Sequence, residues 1–316
     1  MYKLIRSSLC VAALLGLSTS GAFAAQVLGP DTDEGDLVPT GKGWGERAYP
    51  TPHHNDHANP NGAAGKTTAN GINYHGGPVM LGTTSVYYIW YGNWNGNSAP
   101  SILTDLANSI GGSRYFNINT TYYDGAGVHV SNSVAYAGST TDAYSQGTTL
   151  TDAKVQSIVA SAISSGTLPP DKKGVYFVLT SADVNETSGF CTQYCGWHTH
   201  GTIAGLDIKY SFVGNPDRCP NACEAQTTSP NGNAGADGMA SIISHELEEA
   251  TTDPDLNAWF DRRGQENADK CAWTFGTEHT ASNGSRYNVT LGSRQYLIQQ
   301  NWVNQSGGYC DMSVTH

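Results

Sequence analysis

The residues of this chain best equipped for chemistry are His245, Glu246, Glu249 and Asp253, within Ser244-His245-Glu246-Leu247-Glu248-Glu249-Ala250-Thr251-Thr252-Asp253-Pro254. On a helix, His245, Glu249 and Asp253 fall at i, i+4 and i+8, on roughly one face. A His-Glu-x-x-His helix holds zinc with its i and i+4 residues and uses the Glu beside the first His as general base. Here Glu249 stands where the second His would be, and a carboxylate is a legitimate zinc ligand. The pattern therefore assigns His245 and Glu249 to a metal and Glu246 to the activation of a water. The bland alternatives are acids that simply form a solvated helix face, or a buried histidine hydrogen-bonded to a neighbouring acid.

A third ligand has to come from elsewhere. Asp253 shares the helix face, but i and i+8 lie about 12 Å apart on a straight helix. The chain must turn before it, as Pro254 permits. Asp255 is the next candidate, ten residues after His245, the offset of a third ligand in metzincin-like sites. Asp261, Glu266, Asp269, and His198 or His200 are further candidates. His198-x-His200 would share one face of a strand, where a surface or core role outranks ligation. Zinc is the expected ion. A carboxylate set of Glu249, Asp253, Asp261, Glu266 and Asp269 would suit calcium instead and make the protein a binding or structural module. His53-His54-Asn55-Asp56-His57 reads as part of a polar, disordered tract.

These residues need elements to carry them. Polar, Gly-rich sequence over 231–238 feeds Met239-Ala240-Ser241-Ile242-Ile243, so a helix is expected with Asp237 as N-cap and its end at Pro254. Residues 85–92 are dense in β-branched and aromatic side chains and predict a strand. A helix is expected over 102–110 and two strands around 127–137. Residues 151–164 read as an amphipathic helix with Val155, Ile158, Val159 and Ile163 inward. Strands are expected over 175–180 and 203–213. The order predicts an α+β fold, a single domain over 72–316 with a mixed sheet and a central helix carrying the motif.

Residues 1–24 have the form of a secretory signal: Lys3 and Arg6, an apolar run over 9–17, and Ala22-Phe23-Ala24 before the cleavage point. No later stretch approaches the ~20 continuous apolar residues of a membrane span. Residues 25–71, rich in Gly, Pro, Asn and Asp, read as a flexible leader or pro-segment. Net charge is −11. Losing the signal removes two basic residues and no acid, and such a surface argues against nucleic acid and anionic membranes as partners. There is no nucleotide, haem or flavin motif.

Six cysteines remain after the signal: Cys191, Cys195, Cys219, Cys223, Cys271 and Cys310. An even number in an exported chain implies disulfides. The expected pairing is 191–195, 219–223 and 271–310.

Several stretches resemble the phosphate-induced protein / Exordium family. They are Tyr74-His75-Gly76-Gly77-Pro78-Val79, Ile89-Trp90-Tyr91-Gly92, Val178-Leu179-Thr180-Ser181-Ala182-Asp183-Val184, Gly189-Phe190-Cys191 with Cys195-Gly196, and Cys219-Pro220 leading to Cys223. The resemblance runs from about residue 74 to the end. It implies an exported protein of the kind known from plant cell walls, with no settled biochemical activity. Plant members are similar up to Asp237-Gly238-Met239 but lack the His245-Glu246 pair. The segment from His245 through Thr252-Asp253-Pro254 to Asp269 instead resembles secreted microbial proteins classed as metallopeptidases. Two functional readings follow. One is a secreted zinc peptidase acting on an extracellular protein or peptide. The other is a non-enzymatic extracellular or cell-wall binding protein of the Exordium type, its acids structural or calcium-binding.

Overall fold

The computed structural model of the chain describes residues 38–42 and 71–314. The signal (1–24), most of the leader (25–71) and the His53–His57 tract lie outside the described residues.

The core is a five-stranded sheet. Its strands are β1 (Thr84–Tyr91), β2 (Val134–Asp142), β3 (Gly174–Thr180), β4 (Gly196–Ile203) and β5 (Leu206–Val213). In space the order is β2-β1-β3-β5-β4. β1 runs parallel to β2 and β3, and β3 parallel to β5, whereas β4 at one edge is antiparallel to β5. All seven residues of β3 are buried, as a parallel strand covered on both faces requires. Helices α1 (Ala99–Ser109), α2 (Asp152–Ser164) and α3 (Ala234–Thr252) cover the sheet. The result is the expected mixed sheet with a central helix bearing the motif.

Details differ from expectation for local reasons. Residues 203–213 belong to a hairpin, because Ala204 and Gly205 both take positive φ and reverse the chain between β4 and β5. The two strands expected near 127–137 are one long strand, β2, preceded by an isolated bridge between Tyr123 and His129. α2 matches its expected span, with Val155, Ile158, Val159 and Ile163 buried and the Thr151 side chain accepting from Lys154 N as N-cap.

The motif helix starts earlier than Asp237. Asn233 is the N-cap, its side chain accepting from Ala236 N at 3.0 Å. Asp237 sits inside the first turn, held by Asn231, where a carboxylate complements the helix dipole. Residues 239–252 of α3 are all buried. The helix packs on β4 and β5 on one side and on α1 on another.

The cysteine pairing is corrected. The bridges are Cys191–Cys219, Cys195–Cys223 and Cys271–Cys310. Cys219 caps the single helical turn Pro220–Cys223, so Cys219 and Cys223 present their sulfurs together, 3.7 Å apart. Both reach across to the loop that enters β4, forming two rungs between segments rather than two local clips. Cys271–Cys310 is as expected. Among the described residues no helix is long and apolar enough to cross a membrane.

Candidate metal centre

α3 lies close to the start of β4, and Gly196 makes that approach possible. A Cβ there would meet Ile242 Cγ2 at 2.6 Å and the Phe212 carbonyl at 2.8 Å. The approach brings His198, two residues on, over the helix face that carries Glu246 and Glu249. The other wall is the loop after the helix. Asp253 ends α3, its Oδ1 accepting from Asn257 N and Ala258 N at 2.6 Å each. Asp261 Oδ1 accepts from Arg263 N and Gln265 N, and Lys270 Nζ pairs with Asp261 Oδ2 at 2.9 Å. Cys271–Cys310 pins the far end of the loop. Glu266 and Asp269 are thereby delivered to the same interior space.

Two triads of donor atoms meet there and share Glu249. His245, Glu249 and Asp269 form one; His198, Glu246 and Glu249 form the other, each with its donor atoms within 4.8 Å of one another. His245 Nε2 is 3.0 Å from Glu249 Oε1 and 3.7 Å from Asp269 Oδ1. The other Glu249 oxygen faces His198 Nδ1 at 3.4 Å, beside Glu246 Oε2 at 3.3 Å. Ionised carboxylates only accept, so Nδ1 of His198 carries the proton and donates to this pair. His198 Nε2 faces Glu266 Oε1 at 3.6 Å. None of His198, His245, Glu246, Glu249 and Glu266 is more than 1 % exposed.

The electrostatics are those of a crowded acidic interior. Five carboxylates, Glu246, Glu249, Asp253, Glu266 and Asp269, surround two imidazoles. Burial pushes Asp253 up to about 6 and Glu266 well above the usual carboxylate range. Burial also opposes ionisation of Glu249, but the His245 imidazole and then the His198 hydrogen bond bring it down to about 2. Burial works against a charged His198, and Glu266, Glu246 and Glu249 together override it, holding the imidazole well above its ordinary value. Asp253 Oδ2 and Glu266 Oε1 are buried and accept no hydrogen bond among the described residues. Neither residue belongs to a triad, and Glu266 Oε1 has the His198 imidazole 3.6 Å away to offset its burial. In the His245 triad one imidazole nitrogen and two carboxylate oxygens lie within 4.8 Å of one another, a donor set that could hold one metal ion.

The expected site residues divide. His245, Glu246 and Glu249 come together, and Asp269 joins them. Asp253 lies at the helix end as a capping residue and enters neither triad. Asp255 goes to a different group, with His200 and Asp207. There Lys209 Nζ already supplies the cation, 2.6 Å from Asp207 and 3.0 Å from Asp255. His198 was expected on a strand face in a surface or core role; it is buried among the site carboxylates. The signal that pointed to it was the spacing His198-x-His200, which puts both histidines on one face of β4; His198, nearer the Gly196 end that meets α3, is buried, and His200, further along, is half-buried. A surface cleft of about 600 Å³, lined by Asn185, Glu186, Phe190, Arg218 and the Cys191–Cys219 bridge among others, includes none of these triad residues.

Against known proteins, residues 72–312 match the phosphate-induced protein 1 conserved region. Protein EXORDIUM-like 3 of Arabidopsis thaliana is 34% identical over 271 residues, covering 73% of this chain and 80% of that protein. Protein EXORDIUM-like 5 of the same plant is 33% identical over 273 residues, covering 73% and 75%. Protein PHOSPHATE-INDUCED 1 of Nicotiana tabacum is 27% identical over 221 residues, covering 60% and 67%. No solved structure matches the chain.

Proposed function

The chain belongs to the phosphate-induced protein 1 (Exordium) family, and we propose that it is a secreted metalloprotein of that family and a metal-dependent hydrolase. The three disulfides and the Exordium-like relatives are consistent with an extracellular protein. One observation carries the proposal: Asp269, brought in by a loop, meets His245 and Glu249 of α3 at a single buried point. A nitrogen donor in the triad favours zinc over calcium, which takes oxygen ligands. A divalent ion at such a site lowers the pKa of a coordinated water toward neutrality.

The chain's own residues have clear parts in this reading. His245, Glu249 and Asp269 would hold the ion. Glu246 sits beside His245 in sequence with its carboxylate in the same interior, placed to take the proton of the water as general base. His198 donates to Glu246 Oε2 and Glu249 Oε2, fixing both carboxylates. Such outer hydrogen bonds orient ligands and tune the site. An extracellular protein or peptide is the proposed substrate. The experiment is a peptide-library cleavage assay on zinc-loaded protein, with Glu246→Gln as the control. Cleavage by the wild type that Glu246→Gln abolishes while keeping its metal supports hydrolysis; cleavage of nothing, or equal cleavage by both, contradicts it.

A second reading has its own observation. The donor set is fully buried, and the 600 Å³ cleft at Arg218 does not reach it. A closed ion site of this kind serves folding rather than turnover. On that reading the protein is a non-enzymatic extracellular or cell-wall binding protein with the ion as a structural staple. Metal present without any cleavage selects it.

A further inference from the structure

β4 is an edge strand, and its outer side is occupied. The backbone N–H of His198 donates to the Gly41 carbonyl at 3.1 Å. The occupant is the described piece of the leader, residues 38–42. Pro39 and Gly41 are buried, although Val38 is 65% exposed. Gly41 takes φ +69, and a Cβ on it would lie 1.9 Å from the His198 carbonyl oxygen. Only glycine fits that close an approach. Lys42 then turns its side chain along the molecule. Its Nζ is 2.6 Å from both Asp152 Oδ2 and Ser188 Oγ, and lies 5.4 Å from the Tyr194 ring centre and 5.3 Å from that of Trp197. A carboxylate, a hydroxyl and two aromatic rings make a seat for a cation.

Each contact reads a different feature of the segment. The strand edge offers the His198 N–H to the carbonyl of the segment, the His198 carbonyl demands a glycine in the left-handed region, and the Asp152–Trp197 seat demands a basic side chain next to it. Capture of a peptide at an exposed strand edge is a general recognition mode, with main-chain bonding to the edge and side-chain seats giving specificity.

We propose that the outer edge of β4 is a binding site for a peptide that bends at a glycine followed by a basic residue, and that residues 38–42 are its intramolecular occupant. The leader thus shields the edge that runs past the buried centre. A Gly–Lys peptide from another extracellular protein takes the same seat when the leader leaves it. The proposal does not depend on an ion being bound at His245.

The test uses the full chain and a fluorescein-labelled peptide of sequence Val-Pro-Thr-Gly-Lys, read by anisotropy and by hydrogen exchange at the His198 amide. Tethering gives the resident segment an effective concentration of order mM, so the wild type should bind the peptide poorly. Gly41→Val should speed exchange at His198 and strengthen peptide binding, each by about tenfold or more. Lys42→Ala, which keeps the glycine, should move both readouts in the same direction. A peptide with Val in place of Gly should not bind any of the proteins, and Asp152→Ala combined with Gly41→Val should lose the gain. Unchanged exchange at His198 in both leader variants would overturn the occupancy. Faster exchange without a gain in peptide binding would overturn the recognition site.

Discussion

The backbone N–H of Asp269 donates to Glu249 Oε1 at 3.0 Å, so the residue that completes the first triad is tied by its main chain to another member of it. The same Glu249 oxygen lies 3.0 Å from His245 Nε2. The third donor is therefore placed by the second, and the loop that brings it is locked immediately afterwards by Cys271–Cys310. Helix, loop and disulfide act together on one point.

That coupling would make a bound ion a stability ligand. Anything that binds only the folded state stabilises it by mass action, about 4 kcal/mol at a free concentration 1,000 times Kd. For a domain of this size such a gain is on the order of 10 °C in Tm. Removing the ion with a chelator should lower Tm by that order, and adding zinc back should restore it, as measured by scanning calorimetry. A Tm indifferent to chelation speaks against a resident ion.

His198 should affect the centre without being one of its three main ligands. Losing a hydrogen bond that orients a ligand typically costs about 10–100-fold in metal affinity. His198→Gln is expected to weaken zinc by that factor in a competition with a chromophoric chelator. His200→Gln should leave affinity unchanged, because Lys209 already balances Asp207 and Asp255 there. Equal effects of the two substitutions would remove His198 from the site.

The two bridges between the 191–195 loop and the 219–223 turn close almost the same loop, each with a sequence separation of 28. Closing a loop of that length is worth about 3.5 kcal/mol of chain entropy. Either bridge alone supplies most of it. Cys191→Ala with Cys219→Ala should cost roughly 1 kcal/mol, and removal of both bridges roughly 4 kcal/mol, in guanidinium unfolding. Full additivity of the two bridges would show that they constrain different parts of the unfolded chain.

Glu224 gives a pH dependence away from the centre. Burial first, and then Asp217 beside it, push its carboxyl up to about 7. Its folded pKa stands above the unfolded one, so the folded state binds the extra proton. Stability is full below pH 4.5, falls as pH rises from 4.5 to 7, and stays at the lower level above. The loss is on the order of 2 kcal/mol once partial solvation is allowed for. Glu224→Gln should flatten that slope and be more stable than wild type at pH 8, read from urea midpoints across the range. A slope that persists in the variant belongs to another group.

Much of this was legible in the residues themselves. The strand at 84–91 and the helix at 152–164 carry strong local patterns, and both lie where the pattern put them. The helix of His245 was legible from its loop and from Pro254, but its true cap, Asn233, hides in a polar tract where several residues could cap. His245, Glu246 and Glu249 follow from helix periodicity, a short-range property. Asp269 does not, since its arrival depends on the path of a loop fixed by Asp261, Lys270 and a disulfide. His198 was masked for the same reason: how far along β4 the shared face of His198 and His200 is covered depends on the packing of α3 at the Gly196 end. The crossed disulfides follow from a helical turn between Cys219 and Cys223 that four residues of sequence do not announce.

Metal content of the purified protein tests the central claim most directly, measured by plasma mass spectrometry beside His245→Ala, Glu249→Ala and Asp269→Asn. The account expects about one zinc per chain in the wild type and its loss in all three variants, with each still folded by circular dichroism. No metal in the wild type, or zinc retained by folded His245→Ala and Asp269→Asn, would contradict it.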